Sequence, residues 1–235
     1  MAFFLGGEPF EGLSMIARQE IADALVPMFD AIKQVVLDSG SIQPGQGSTA
    51  ATLLEAQADL GVTYAPAVGT ETARSVHYAI QSGVNHGRML ATELASPEAI
   101  FGLATLARGC VEAYARAWWL MNASGPDEAS VRWLSGVQAE MNIKLRFDPT
   151  IEFYSSRDGR VRVDRVHREV LDDINRINDG LPVPVRYTQL ATDFGNAVSP
   201  FGRERYSDMS GVAHAEPIAL NSFFASGPDN SYLLA

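Results

Sequence analysis

The chain has a single cysteine, Cys110, among its 235 residues. One thiol cannot form an internal disulfide and cannot build a cysteine-type zinc site. The common metal-binding spacings are missing too, since there is no His-Glu-x-x-His, no Glu-x-x-His pair on facing helices and no EF-hand loop. Walker and Rossmann glycine patterns are also absent. The sequence therefore predicts no metal and no cofactor, and a reducing cytoplasm is the expected compartment.

The sequence also lacks an apolar run long enough to cross a membrane, because Arg108, Glu112 and Arg116 interrupt the best candidate. The N-terminal stretch MAFFLGGEPFEGL lacks the basic start of a secretory signal peptide. Basic residues are outnumbered, with 18 Lys and Arg against 28 Asp and Glu and a net charge of −10. Such an acidic chain is unsuited to general nucleic-acid or anionic-membrane binding. We expect a soluble, cytoplasmic protein without membrane contacts.

Helical periodicity is the main pattern that the sequence does contain. Apolar residues recurring every three or four positions predict helices over 11–37, 49–60, 70–94, 96–123, 127–145, 163–178, 188–194 and 200–224. Pro27 falls inside the first helix and predicts a kink or break there. We predict a single all-α domain over 1–235, a helical bundle with a hairpin or irregular insertion near 150–162. A mobile loop is expected at 39–48 and a frayed tail at 226–235.

The bundle is expected to form around the helix at 96–123, whose start is marked by Ser96–Pro97. Its apolar residues cover most of the surface, which is typical of a buried helix. They include Phe101, Leu106, Val111, Trp118, Trp119 and Leu120.

Three charged residues interrupt that apolar surface at four-residue spacing, namely Arg108, Glu112 and Arg116. They share one helix face, so Glu112 is predicted to be ion-paired. The set could bind an anion or orient a base, or it could be a structural network that fixes helix register. Breaking a buried pair of this kind would cost about 3–5 kcal/mol.

Other polar residues could join a site. His86 lies on the helix before the central one, where it could be a catalytic group or a core histidine. Tyr206, Ser210 and His214 fall on one broad face of the last helix. No nucleophile elbow surrounds Ser210, which argues against a serine hydrolase.

Two further features of the sequence allow a functional interpretation. The arginines between 157 and 168 are interleaved with acids, which favours a solvated salt-bridged face over a phosphate track. A small-molecule pocket lined by Trp118, Trp119 and Trp133 is the weakest interpretation.

Three segments carry a family resemblance: NHGRML with His86, LARGCVEAYARAWWLMNA with Arg108 and Glu112, and YSDMSGVAHAEP with Ser210 and His214. They resemble a group of actinobacterial helical proteins of unknown function. That group shows an Asp-His or similar pair, an Arg-x3-Glu helix ending in tryptophans and a late Ser-Gly-x-x-His. It resembles, more distantly, HEPN-like and abortive-infection helical bundles, some of which are ribonuclease toxins.

The sequence departs from the HEPN motif, which places an Arg four to six residues before its His. Here Arg205 precedes His214 by nine residues, about 900° of helix rotation, so the two point to opposite faces.

Two interpretations follow. The protein is a non-catalytic structural or interaction module, open to forming a homodimer, with an internal polar cluster. Alternatively, it is a HEPN-like RNA-directed enzyme with candidate catalytic residues His86, Arg108, Glu112 and His214. Candidate substrate-binding residues are Arg116, Tyr206 and Ser210, and RNA would then be the nucleic-acid partner.

Overall fold

The structure is a computed structural model that describes residues 14–39, 43–96, 100–148, 150–155, 158–178 and 182–214. It also describes the backbone of four short strands at 4–5, 8–9, 224–226 and 232–234. Within these ranges the helices, in chain order, are α1 (Met15–Ser39), α2 (Thr49–Ala56), α3 (Val68–Leu94), α4 (Ile100–Met121), α5 (Pro126–Phe147), α6 (Val163–Asn178), α7 (Tyr187–Val198) and α8 (Gly202–Ala213). The predicted all-α helical bundle is confirmed.

Three antiparallel hairpins accompany the helices, formed by β1 (Phe4–Leu5) with β2 (Glu8–Pro9), β3 (Glu152–Ser155) with β4 (Gly159–Arg162), and β5 (Phe224–Ser226) with β6 (Tyr232–Leu234). The hairpin of β3 and β4 is the insertion predicted near 150–162. Gly159 has φ of 73°, a left-handed conformation that favours glycine where the chain turns into β4. The frayed tail predicted at 226–235 stays a prediction, and its described residues 226 and 232–234 belong to the hairpin of β5 and β6.

Helix α1 continues through Pro27 without a break, so the alternative predicted there, a kink, stays a prediction. Its buried residues Ala22, Phe29 and Val36 recur every seven positions, which fits the predicted apolar stripe. The predicted loop at 39–48 falls partly, at 40–42, outside the described residues. The predicted helix start at Ser96–Pro97 lies outside the described residues from Pro97 onward. Arg157 also lies outside them, and so does the side chain of Phe101, whose burial was predicted.

The chain divides into two compact units. Unit 1 consists of 1–40, 80–115 and 191–235, and unit 2 consists of 41–79 and 116–190. Because both units are assembled from separated segments, no single cut in the chain separates them. The prediction of one domain over the whole chain stays a prediction.

Each unit has its own apolar core. In unit 1, Phe29 of α1 packs with Val84 and Ala91 of α3. The Phe29 ring lies directly against Gly87, where any Cβ would overlap the ring, so the glycine permits the close approach of the two helices. In unit 2, α5 and α6 pack around Leu134, Met141, Val163, Val166, Val170 and Ile174.

Helix α4 is largely covered, as predicted for the central helix. Among the described side chains from 102 to 121, Ala104, Ala115, Ala117 and Leu120 are fully buried, and only Gly102, Thr105 and Met121 are exposed. The others, which include Leu106 and Val111, are partly buried. Within the described residues, none of the helices combines the length and apolar character that a membrane-spanning segment requires.

Candidate functional site

Glu112 of α4 is the centre of a polar cluster in unit 1. Its Oε1 atom accepts a hydrogen bond from Arg108 Nε at 2.7 Å and another from the hydroxyl of Tyr206 on α8 at 2.8 Å. The spacing of four residues brings Arg108 and Glu112 together on α4. Tyr206 comes from a distant part of the sequence, so its bond links α4 to α8.

His214, the residue that caps the end of α8, completes this group. Its Nε2 lies 2.6 Å from Nη1 of Arg108. A guanidinium has only donors, so Nε2 must accept, and the proton of a neutral imidazole is then on Nδ1. We call Arg108, Glu112, Tyr206 and His214 the α4–α8 cluster.

The α4–α8 cluster lies at the edge of unit 1, between solvent and core. The side chains of Arg108 and Glu112 are 23% and 33% exposed, whereas Tyr206 is almost completely buried. The hydrogen bond to Glu112 raises the pKa of Arg108 above its ordinary value. Burial, reinforced by the hydrogen bond to Glu112, raises the pKa of Tyr206. Both shifts keep the two donors protonated, so the bonds to Glu112 persist at neutral pH.

His86 is held in a different way. Its Nδ1 lies 2.9 Å from the backbone oxygen of Ser82, one turn earlier on α3, and its ring packs against Gly109 of α4. A Cβ at position 109 would come within 2.6 Å of the ring, so the glycine makes room for the histidine. Among the described residues, no hydrogen bond joins His86 to the α4–α8 cluster.

Arg116 belongs to unit 2 and does not pair with Glu112. It forms an ion pair with Glu140 of α5 at 3.1 Å, and its guanidinium lies over the Tyr187 ring. In the predicted Arg–Glu–Arg ladder, the pair of Arg108 with Glu112 is therefore confirmed. The last residue, Arg116, pairs with a carboxylate of another helix instead. Ser210 is partly buried on α8, and its backbone oxygen accepts a hydrogen bond from the His214 amide.

Comparison with protein-family models, with curated proteins and with solved structures found no match. The resemblance to actinobacterial helical proteins and to HEPN-like bundles therefore stays a prediction. The geometry of the residues themselves has to support any functional conclusion.

The predicted pocket lined by Trp118, Trp119 and Trp133 stays a prediction. Trp119 stacks under Arg132 in a cation–π contact, and Trp133 donates to the Ser75 hydroxyl and stacks with Tyr64. A cavity in unit 2, described below, is lined by other residues.

The predicted salt-bridged face at 157–168 is present in its described part, since Arg162 pairs with Asp164 and Arg165 with Glu169. Across the described residues, no three His, Cys, Asp or Glu side chains come together as a metal site would require.

Sequence reasoning missed Asp173 of α6, which is fully buried in unit 2. Its carboxylate accepts hydrogen bonds from the backbone amides of Thr63 and Tyr64, from the Thr63 hydroxyl and from Arg176. The carboxylate thereby holds the turn between α2 and α3. A signal was present, because Asp173 follows Val166 by seven residues and so lies on the apolar face of α6. An acid at such a position needs buried partners.

Proposed function

We propose that the protein is a non-catalytic helical module, a structural or interaction protein, in which the α4–α8 cluster fastens α8 to α4. One observation carries this proposal: the members of the cluster are bonded to one another. Arg108 donates to both Glu112 and His214, and Tyr206 donates to the same oxygen of Glu112. A half-buried network whose polar groups satisfy each other contributes to a unique packing arrangement.

Catalysis would require a different arrangement of the hydrogen-bond donors in this cluster. An arginine that stabilises phosphate charge needs donors directed at the substrate. In the cluster, Nε and Nη1 of Arg108 are directed at other side chains of unit 1. The net charge of −10 also opposes the approach of a polyanionic RNA. A structural role requires neither a free guanidinium nor a basic surface.

A specific observation favours the RNA-directed enzyme as the second candidate function. His214 is exposed, and its hydrogen bond from Arg108 fixes a neutral tautomer beside a guanidinium. A neutral histidine next to an arginine is a pair that can remove a proton and stabilise phosphate charge. In this interpretation Arg108 and His214 alone would form the reactive centre, without the other two predicted catalytic residues, His86 and Glu112.

The substitution His214→Ala separates the two functions, with His77→Ala as a matched control. His77 is a partly buried histidine of α3 that belongs to unit 2. Each variant is tested for cleavage of fluorescently labelled single-stranded RNA and for hydrogen exchange of the α8 amides. We expect no RNA cleavage by the wild type. Exchange in α8 should be about 2–5 times faster in His214→Ala and unchanged in His77→Ala, because one link to α4 is lost.

Cleavage of RNA by the wild type would contradict the proposal if His214→Ala abolished the cleavage and left α8 protection unchanged. Unchanged α8 protection without any cleavage would show that the cluster does not fasten α8. The homodimer stays a separate prediction, which light scattering of the purified protein checks.

A further inference from the structure

Unit 2 contains a cavity of about 570 Å³. Its walls come from residues 47–53, which include the start of α2, from 72–76 of α3, and from 120–129, where α4 ends and α5 begins. This volume lies within the range of about 300–1,000 Å³ that is usual for small-molecule sites. The cavity does not involve the α4–α8 cluster, so the inference below does not depend on the proposed function.

Small side chains create the cavity. Of the fifteen described residues that line it, ten are Gly, Ala, Ser or Thr. Leu53, Leu120 and Ala129 are buried and form the deeper lining, whereas Met121 is 52% exposed and marks the opening. A methionine at an opening can adapt to molecules of different shape, because its side chain is unbranched and polarizable.

Among the described lining residues, three of the four that carry a hydroxyl group, all but Thr49, use it as a donor within the protein. Thr52 donates to the Ser48 carbonyl at 3.1 Å and Thr72 to the Val68 carbonyl at 2.8 Å. The Ser124 hydroxyl donates to Glu128 at 2.5 Å. These hydroxyl donors are engaged within their own segments, so mainly carbon atoms face the cavity. Among the described residues, no Asp, Glu, Lys, Arg or His side chain lines it.

We infer that this cavity binds a small, uncharged, predominantly apolar molecule. Apolar burial supplies the attraction. A charged ligand would lose its hydration without meeting a partner of opposite charge, which makes its transfer unfavourable. The lining therefore determines the ligand class by charge and polarity.

Gly125 offers a direct test, because a Cβ at this position meets no atom within 4 Å and the backbone is extended, with φ of −177°. Leucine fits there without backbone strain, and Gly125 is one of the residues that line the cavity. Gly102 of α4 is an exposed glycine of unit 1 that also has open space around it. Gly102→Leu is therefore the matched control for Gly125→Leu, and Ala50→Leu fills the cavity from α2 if Gly125→Leu does not fold.

The experiment titrates the full chain with Nile red, a neutral apolar dye that fluoresces in apolar surroundings. The wild type should bind one dye saturably, Gly125→Leu should bind about tenfold more weakly or not at all, and Gly102→Leu should bind within about twofold of the wild type. An anionic naphthalene sulfonate dye should compete poorly. Absence of saturable Nile red binding would overturn the inference. So would unchanged binding in both folded cavity-filling variants, or equally strong competition by the anionic dye.

Discussion

Removing the charge of Glu112 tests how strongly the α4–α8 cluster holds unit 1 together. Glu112→Gln keeps an oxygen that Tyr206 and Arg108 can still reach, but it makes the hydrogen bond from Tyr206 a neutral one and removes the ion pair with Arg108. The loss at the buried Tyr206 hydroxyl is about 1 kcal/mol. The ion pair with Arg108 adds about 0.5 kcal/mol, because side chains that are 23% and 33% exposed are screened by solvent.

We therefore expect Glu112→Gln to lower the free energy of unfolding by about 1.5 kcal/mol, well below the 3–5 kcal/mol of a fully buried pair. In a chain of this length the melting temperature should fall by about 3–6 °C. Urea unfolding followed by circular dichroism gives the free energy. Combining the change with Tyr206→Phe in a double-mutant cycle should give a coupling of about 1 kcal/mol. Glu20→Gln, on the exposed side of α1, is the control and should change stability by less than about 0.5 kcal/mol.

Two results would refute this reasoning. An unchanged unfolding free energy would mean that the bonds at Oε1 do not contribute to stability. A loss above about 4 kcal/mol would mean that solvent does not screen the pair, as in a fully buried ion pair.

Three further substitutions probe other contacts. Gly202→Ala should cost about 3 kcal/mol in chemical unfolding, because its Cβ would overlap the backbone of α7, whereas Gly102→Ala, in open space, should not destabilise. Asp173→Ala should cost about 3–5 kcal/mol by the same assay, because two backbone amides and a guanidinium lose a buried acceptor. Glu128 has its pKa lowered from 4.5 to about 2, chiefly by the Ser124 hydroxyl, so its stabilising effect is present above pH 4.5 and is lost as the pH falls towards 2. Glu128→Gln should therefore lower the free energy of unfolding at pH 7 by about 1 kcal/mol, a value that allows for screening by solvent. Melting curves recorded at several pH values should show a progressively smaller loss below pH 4.5.

The helices could be predicted from the sequence because each one carries a local signal. In α6, Val166, Val170 and Ile174 recur at helical spacing, and all three are buried. The hairpin of β3 and β4 was indicated by β-prone residues around a turn that ends at Gly159. The apolar surface of α4 predicted correctly that other elements cover most of the helix, but it did not show that small alanines take three of its four fully buried described positions.

The candidate site was only partly predictable. Arg108 and Glu112 pair within one helix, so their spacing was enough. Arg116 follows at the same spacing, yet its partner Glu140 is 24 residues away, and helical spacing contains no information on such a contact. The packing of the His86 ring against Gly109 could not be predicted from the sequence either, because it depends on how closely α3 and α4 approach each other. Tertiary packing decided each of these partners.

The interleaving of the two units has a consequence for the order in which a newly made chain can fold. Synthesis proceeds from the N-terminus, so every residue of unit 2 has been made once position 190 is reached. Unit 1 still needs 191–235, which supplies α8 and with it Tyr206 and His214. Until then, Glu112 has no tyrosine to accept from, whereas the described members of the Phe29 core all lie within 25–114. A ribosome-bound chain stalled just after unit 2 has emerged should therefore protect the α5–α6 pair from proteolysis before the α4–α8 cluster can form.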